Sequence, residues 1–111
     1  KRTASEPGRA EGQQGRKFVF VLHVSIKVKP GREKPAEETF AGPFKAAISA
    51  QPGFKGVQFL RPNDGGDYLL SIAFENQDLQ QKWVATDLHV QVWPRMEANF
   101  DGYSVKNFTA I

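Results

Sequence analysis

FVFVLHVSIKVKPGRE, residues 18–33, alternates strictly and then breaks. Phe18, Phe20, Leu22, Val24, Ile26 and Val28 fall on one face and Val19, Val21, His23, Ser25 and Lys27 on the other, the two-residue period of a half-buried strand. Lys29, Pro30 and Gly31 end it. Pro35 then suits the first turn of a helix with apolar positions at Phe40, Phe44, Ala47 and Ile48, which Pro52 and Gly53 stop. FKGVQFLR (54–61) reads as a second strand. The strand, helix, strand block recurs as DYLLSIAFE (67–75), NQDLQQKWVATDLHVQVWPRMEANF (76–100) and YSVKNFTAI (103–111). A βαββαβ order in a chain of 111 residues predicts an α+β, ferredoxin-like domain, with a four-stranded antiparallel sheet and two helices on one face.

Local signals refine that outline. Gly42 and Pro43 predict a kink in the first helix or its division into two pieces. PNDGG (62–66) is hairpin chemistry; its paired glycines do not lead from a strand into a helix, as a phosphate cradle requires. Tyr68, Leu70, Ile72 and Phe74 alternate toward the helices. Asn76 is the expected N-cap of the second helix, and Thr86 and Asp87 look like a restart within it.

Charge and composition exclude several classes of function. The formal charge of +3 lies wholly in residues 1–17, where five basic residues face two acidic ones, so residues 18–111 are neutral. KRTASEPGRAEGQQGRK has no large apolar residue, no dense basic cluster and no aromatic interleaving. It reads as a solvated basic tail or linker, without the signature of nucleic-acid binding or of a secretory signal. No apolar run approaches the roughly 20 residues that span a bilayer. The absence of cysteine removes disulfides, thiol nucleophiles and Cys-based metal sites, and fits the cytoplasm or another reducing compartment such as an organelle stroma. Two histidines without metal-ligand spacing predict no metal site.

Two helices cover one face of a sheet. The other face would carry Val19, Val21, Leu69 and Ala73 beside His23, Ser25 and Ser71, too apolar a mixture to leave wholly in water. A second copy of the chain is the economical cover, and two sheets packed face to face predict a homodimeric barrel. His23 would then be an interfacial side chain.

VKPGRE, AQPGFKGVQFLR, SIAFENQDLQQKW and TDLH, in that order and spacing, resemble the antibiotic biosynthesis monooxygenase superfamily of dimeric α/β barrels across residues 18–111. The resemblance implies a pocket between helices and sheet. It also implies one of several activities: cofactor-independent oxidation of aromatic quinols by O2, heme degradation, or others. Trp83 stands where heme-degrading members and several quinol monooxygenases carry Trp, and its ring would wall a flat substrate. His89, in TDLH, would take a proton from a phenolic substrate. Phe20, Val24, Phe40, Phe44, Phe59 and Phe74 would line a dry aromatic cavity with Trp93.

The heme-degrading pattern has Asn on strand one, Trp on helix two and an iron-ligating His about ten residues later. Here those positions hold Val24, Trp83 and Trp93. The expectation is thus a cofactor-free monooxygenase for a small aromatic or quinol substrate, with heme binding second and a non-catalytic barrel module third. Leu79 and Trp83, at i and i+4, also read as a plain core stripe, and His89 as a surface or capping residue.

Overall fold

The computed structural model describes residues 18–111; the expected tail, 1–17, lies outside the described residues. The elements are β1 (Val19–Val28), α1 (Glu33–Thr39), a π turn (Phe40–Phe44), α2 (Lys45–Ser49), β2 (Phe54–Leu60), β3 (Tyr68–Phe74), α3 (Gln77–Val84), α4 (Asp87–Glu97) and β4 (Phe100–Ala110). The strands form one antiparallel sheet in the order β2-β3-β1-β4, the ferredoxin-like arrangement. The limits expected for the first three strands are met to within about one residue, whereas β4 begins at Phe100, three residues before the expected Tyr103, because its pairing with β1 extends back to Val28.

The alternating strands behave as their period requires. Ile26, Leu70, Ile72 and Phe74 are buried with Phe44, Ile48, Trp83 and Met96 in a single core between sheet and helices. β1 sits centrally, with Val24 paired to Leu70 on one side and Val105 on the other.

The helical layer differs from two plain rods. Pro43 brings no N–H to the first helix, and the chain absorbs it without a break. The Lys45 N–H donates to the Phe40 carbonyl, five residues back, in a widened π turn that leads into α2. That turn keeps both Phe40 and Phe44 on the buried side, their rings 5.9 Å apart. The second helical segment is two helices, as the Thr86–Asp87 signal predicts. Asn76 caps α3 by accepting from the Leu79 N–H (2.9 Å), and Thr86 caps α4 by accepting from the His89 N–H (3.2 Å).

Gly53 ends the first block for a steric reason as well as a conformational one. Its φ is +78°, and a Cβ there would lie 2.3 Å from Cδ1 of Leu79.

Candidate functional site

α4 begins beside the C-terminus of α3, so the cap that starts it also sets the site. Thr86 donates its hydroxyl to the Trp83 carbonyl (2.7 Å) while accepting from the His89 N–H, which folds His89 back toward Trp83. The imidazole meets the Trp83 indole edge-on at 5.0 Å and lies nearly parallel to the Trp93 indole at 6.1 Å. Trp93 in turn meets Tyr103 of β4 edge-on at 5.5 Å. Four aromatic side chains therefore form a run from the core, where Trp83 is buried, out to Tyr103, which is 44% exposed.

The outer end of this run opens on a shelf. Tyr103 and Val105 of β4 pair with Ile26 and Val24 of β1 and share their helix-facing side. Yet Tyr103 and Val105 are exposed while Ile26 and Val24 are buried, because the helices stop short of the edge strand. The half-buried Leu22 and Trp93 border the same open strip. A flat apolar molecule laid there would gain contact with aromatic rings and displace water from an uncovered apolar surface.

Burial shapes the electrostatics. It holds the His89 imidazole below its ordinary value of 6.5, so the ring is neutral near pH 7 and able to accept a proton.

The structure brings together Trp83, His89, Trp93 and Phe44, whose ring lies 6.0 Å from Trp83 and 6.2 Å from Trp93. Phe40 and Phe59 join them through Phe44, at 5.9 and 5.3 Å in succession. Val24, Phe40, Phe44 and Phe74 are packed into the core itself, and Phe20 is half-buried outside that cluster. Tyr103 and Phe100, which contact Trp93 from β4, were not foreseen as site residues. Their only signal in the sequence is their place on the last strand.

A second polar constellation lies where β1 ends and the β2–β3 hairpin turns. Arg61 donates to both carboxylate oxygens of Glu37, at 2.7 and 2.5 Å, and the Tyr68 hydroxyl donates to the same carboxylate. Arg61, with Tyr68, holds Glu37 down to about 2, while burial and then the Glu37 bond push the Tyr68 phenol up. An open cleft of about 660 Å³ adjoins them, also lined by Lys27, Lys34 and Asp67. Lys27 pairs with Asp67 at 3.7 Å, so much of the charge there is internally compensated. No group of three or more His, Cys, Asp or Glu side chains able to hold a metal is found among the described residues. No helix among them is long and apolar enough to cross a membrane.

The family model described as antibiotic biosynthesis monooxygenase matches residues 19–93, and the chain belongs to that family. No curated protein matches it. Among solved structures, the fold is similar to that of a Bordetella bronchiseptica protein titled an antibiotic biosynthesis monooxygenase. The TM-score there is 0.77 and the identity 19%, covering 86% of this chain and 99% of the other. It is similar to SnoaB, a cofactor-independent oxygenase of Streptomyces nogalater, with a TM-score of 0.67 and 22% identity over 85% and 92% of the two chains. It is also similar to the heme-degrading protein Rv3592 of Mycobacterium tuberculosis, with a TM-score of 0.67 and 25% identity over 86% and 94%. The first two likenesses carry the fold alone.

Proposed function

We propose that the chain is a cofactor-independent monooxygenase that oxidises a small aromatic quinol with O2, working as a homodimer. The observation that supports this reading is the run Trp83, His89, Trp93 and Tyr103, which sets a neutral imidazole among rings beside an open apolar shelf. A flat substrate lies against Trp93 and Tyr103, and His89 accepts its phenolic proton. The resulting anion is electron-rich enough to reduce O2 without a bound redox group. A quinol and O2 give a hydroxyquinone and water: one oxygen atom ends on ring carbon, the other leaves as water, and all four electrons come from the substrate. Trp83 walls the site from the core side and excludes water.

Heme binding is the second reading, favoured by the 25% identity to Rv3592. The donor set fits it poorly. Trp93 and Val24 stand where the heme-degrading pattern has His and Asn, and His89 is flanked by two indoles. The third reading is a non-catalytic barrel module, favoured by the burial of Val24, Phe40, Phe44 and Phe74 in an ordinary core.

Oxygen uptake with a panel of aromatic quinols tests the proposal: turnover in the purified chain that His89→Ala abolishes supports it, and turnover unchanged by that substitution removes His89 as the base. A hemin titration read at the Soret band separates the second reading. A saturable band near one heme per subunit that decays with ascorbate in air would put heme degradation first.

A further inference from the structure

The face of the sheet turned away from the helices has polar side chains at its centre and apolar ones around them. Register across the four strands sets Gln58, Ser71, His23 and Lys106 in one row. His23 is the fifth of the ten residues of β1 and Ser71 the fourth of the seven of β3, the two inner strands, so the row crosses the middle of the face. The adjoining row on one side carries Ala73, Val21 and Phe108, and on the other Leu60 and Leu69. Protein interfaces ordinarily reverse this order, with apolar groups at the centre and charge at the rim.

The central charge is also uncompensated. The acidic side chains at the two ends of β3, Asp67 and Glu75, each stand four residues from Ser71, about 13 Å along the strand, and pair with Lys27 at 3.7 Å and Lys55 at 3.9 Å. Among the described residues no carboxylate pairs with Lys106. Its ammonium lies 5.4 Å from the centre of the Phe108 ring, which His23 meets from the other strand at 4.9 Å. An ammonium is a donor in every rotamer, and an imidazole keeps at least one N–H in either protonation state.

Face-to-face pairing of two copies turns this row into a site. An isologous packing centred on the sheet sets the middle row of one copy against that of the other, with the two sheets about 10 Å apart. Two Lys106 ammonium groups and two His23 imidazoles then leave water together, and an ammonium without a counter-charge is strongly disfavoured in a dry interface. We infer that a tetrahedral oxyanion of the phosphate class binds at the centre of the dimer, bridging Lys106 and His23 of the two copies. Its oxygens face both sheets at once, whereas a flat carboxylate serves one. The inference rests on the homodimer reading above and deepens it: the oxyanion and the second copy bind cooperatively, so the anion strengthens the dimer.

The experiment is sedimentation equilibrium of the full chain in sodium chloride, acetate or phosphate, at one pH and one ionic strength. Phosphate at about ten times its own dissociation constant should raise the wild-type association constant about 10-fold over chloride, and acetate should not. Calorimetric titration should give one phosphate per two chains. Lys106→Gln and Lys106→Met should still dimerise, because they remove the buried charge together with the anion's partner, and should lose the phosphate effect; two substitutions guard against one that misfolds. Equal association constants in phosphate and chloride, an equal response to acetate, or a phosphate effect retained in both variants would overturn the oxyanion site while leaving the dimer standing. A dimer that both variants weaken equally in all three salts would overturn it too, by assigning the ammonium to a carboxylate of the second copy. A wild type that is monomeric in all three would instead remove the dimer, and the inference with it.

Discussion

Single side chains here do their work through neighbours far away in sequence. Asn99 joins the β1–α1 turn to the start of β4: its side chain bonds Arg32, 67 residues away, and its carbonyl accepts from the Lys29 N–H at 2.8 Å. His89 is defined instead by near neighbours in the chain, the indoles of Trp83 and Trp93. Because burial lowers its folded-state value, the unfolded chain binds a proton that the folded chain resists as pH falls below 6.5. Stability is therefore full above that point, declines through the window beneath it and levels off below the folded value. Denaturant titrations from about pH 8 to about pH 5 should show this decline in the wild type and a shallower one in His89→Gln. An NMR titration should place the imidazole midpoint below 6.5. The two tryptophans should separate cleanly. Trp83→Ala empties a buried site and should cost about 3–5 kcal/mol of stability, whereas Trp93→Ala, at a half-buried ring, should cost less and weaken binding of a flat aromatic probe.

At the scale of elements, caps and clamps set the relation between helices and sheet. Thr86 accepts from the first turn of α4 and bonds back to α3, so Thr86→Ala should lower stability by about 1 kcal/mol and disturb the His89 ring signals, measured by thermal melting and NMR. Glu37 ties α1 to the ends of β2 and β3 through Arg61 and Tyr68. Its carboxyl is held from an ordinary 4.5 down to about 2 by the Arg61 hydrogen bonds first and Tyr68 second. Its contribution to stability is thus complete above about 4.5 and is lost as pH falls toward 2. Glu37→Gln should be less stable than the wild type at neutral pH and should lose less on acidification through that window, as acid-unfolding curves would show. A steeper acid loss in the variant would mean that the clamp contributes nothing. The clamp was invisible in the sequence because Glu37 and Tyr68 lie 31 residues apart, and the alternation that turns Tyr68 toward the helices does not say which side chain it meets. The π turn was half-visible: Gly42 and Pro43 marked an irregularity, but only packing of Phe40 and Phe44 against one core selects a widened turn over a break.

For the whole molecule the telling feature is β4. Of its eleven residues only Phe100 is buried, and Tyr103, Val105 and Phe108 stand out from its two faces. On the open face of the sheet Phe108 packs against His23 at 4.9 Å, with the Lys106 ammonium 5.4 Å from its ring. A face of this kind fits the proposed dimer. Sedimentation should give twice the chain mass at micromolar concentration, and Phe108→Glu should shift it to the monomer. The melting temperature of the wild type should rise with protein concentration, and that of the variant should not. A wild type that sediments as a monomer throughout would remove the dimer from the proposal.

The strand and helix order was legible in the chain because local rules write it: the two-residue period of 18–28 and 68–74, the Asn76 and Thr86 caps, and the Pro and Gly stops need no knowledge of distant residues. Trp83 and His89 were legible as candidates through family resemblance and the restart at Thr86–Asp87 through its capping residues, but the contact between the two rings was not. What the folded chain alone decided is which faces remain open and which distant groups meet. Tyr103 reaches Trp93 because β4 pairs beside β1, and Glu37 meets Arg61 because α1 crosses the sheet. Periodicity is a property of neighbours along the chain. Burial and hydrogen-bond satisfaction belong to neighbours in space, which exist only after the sheet has closed over its helices.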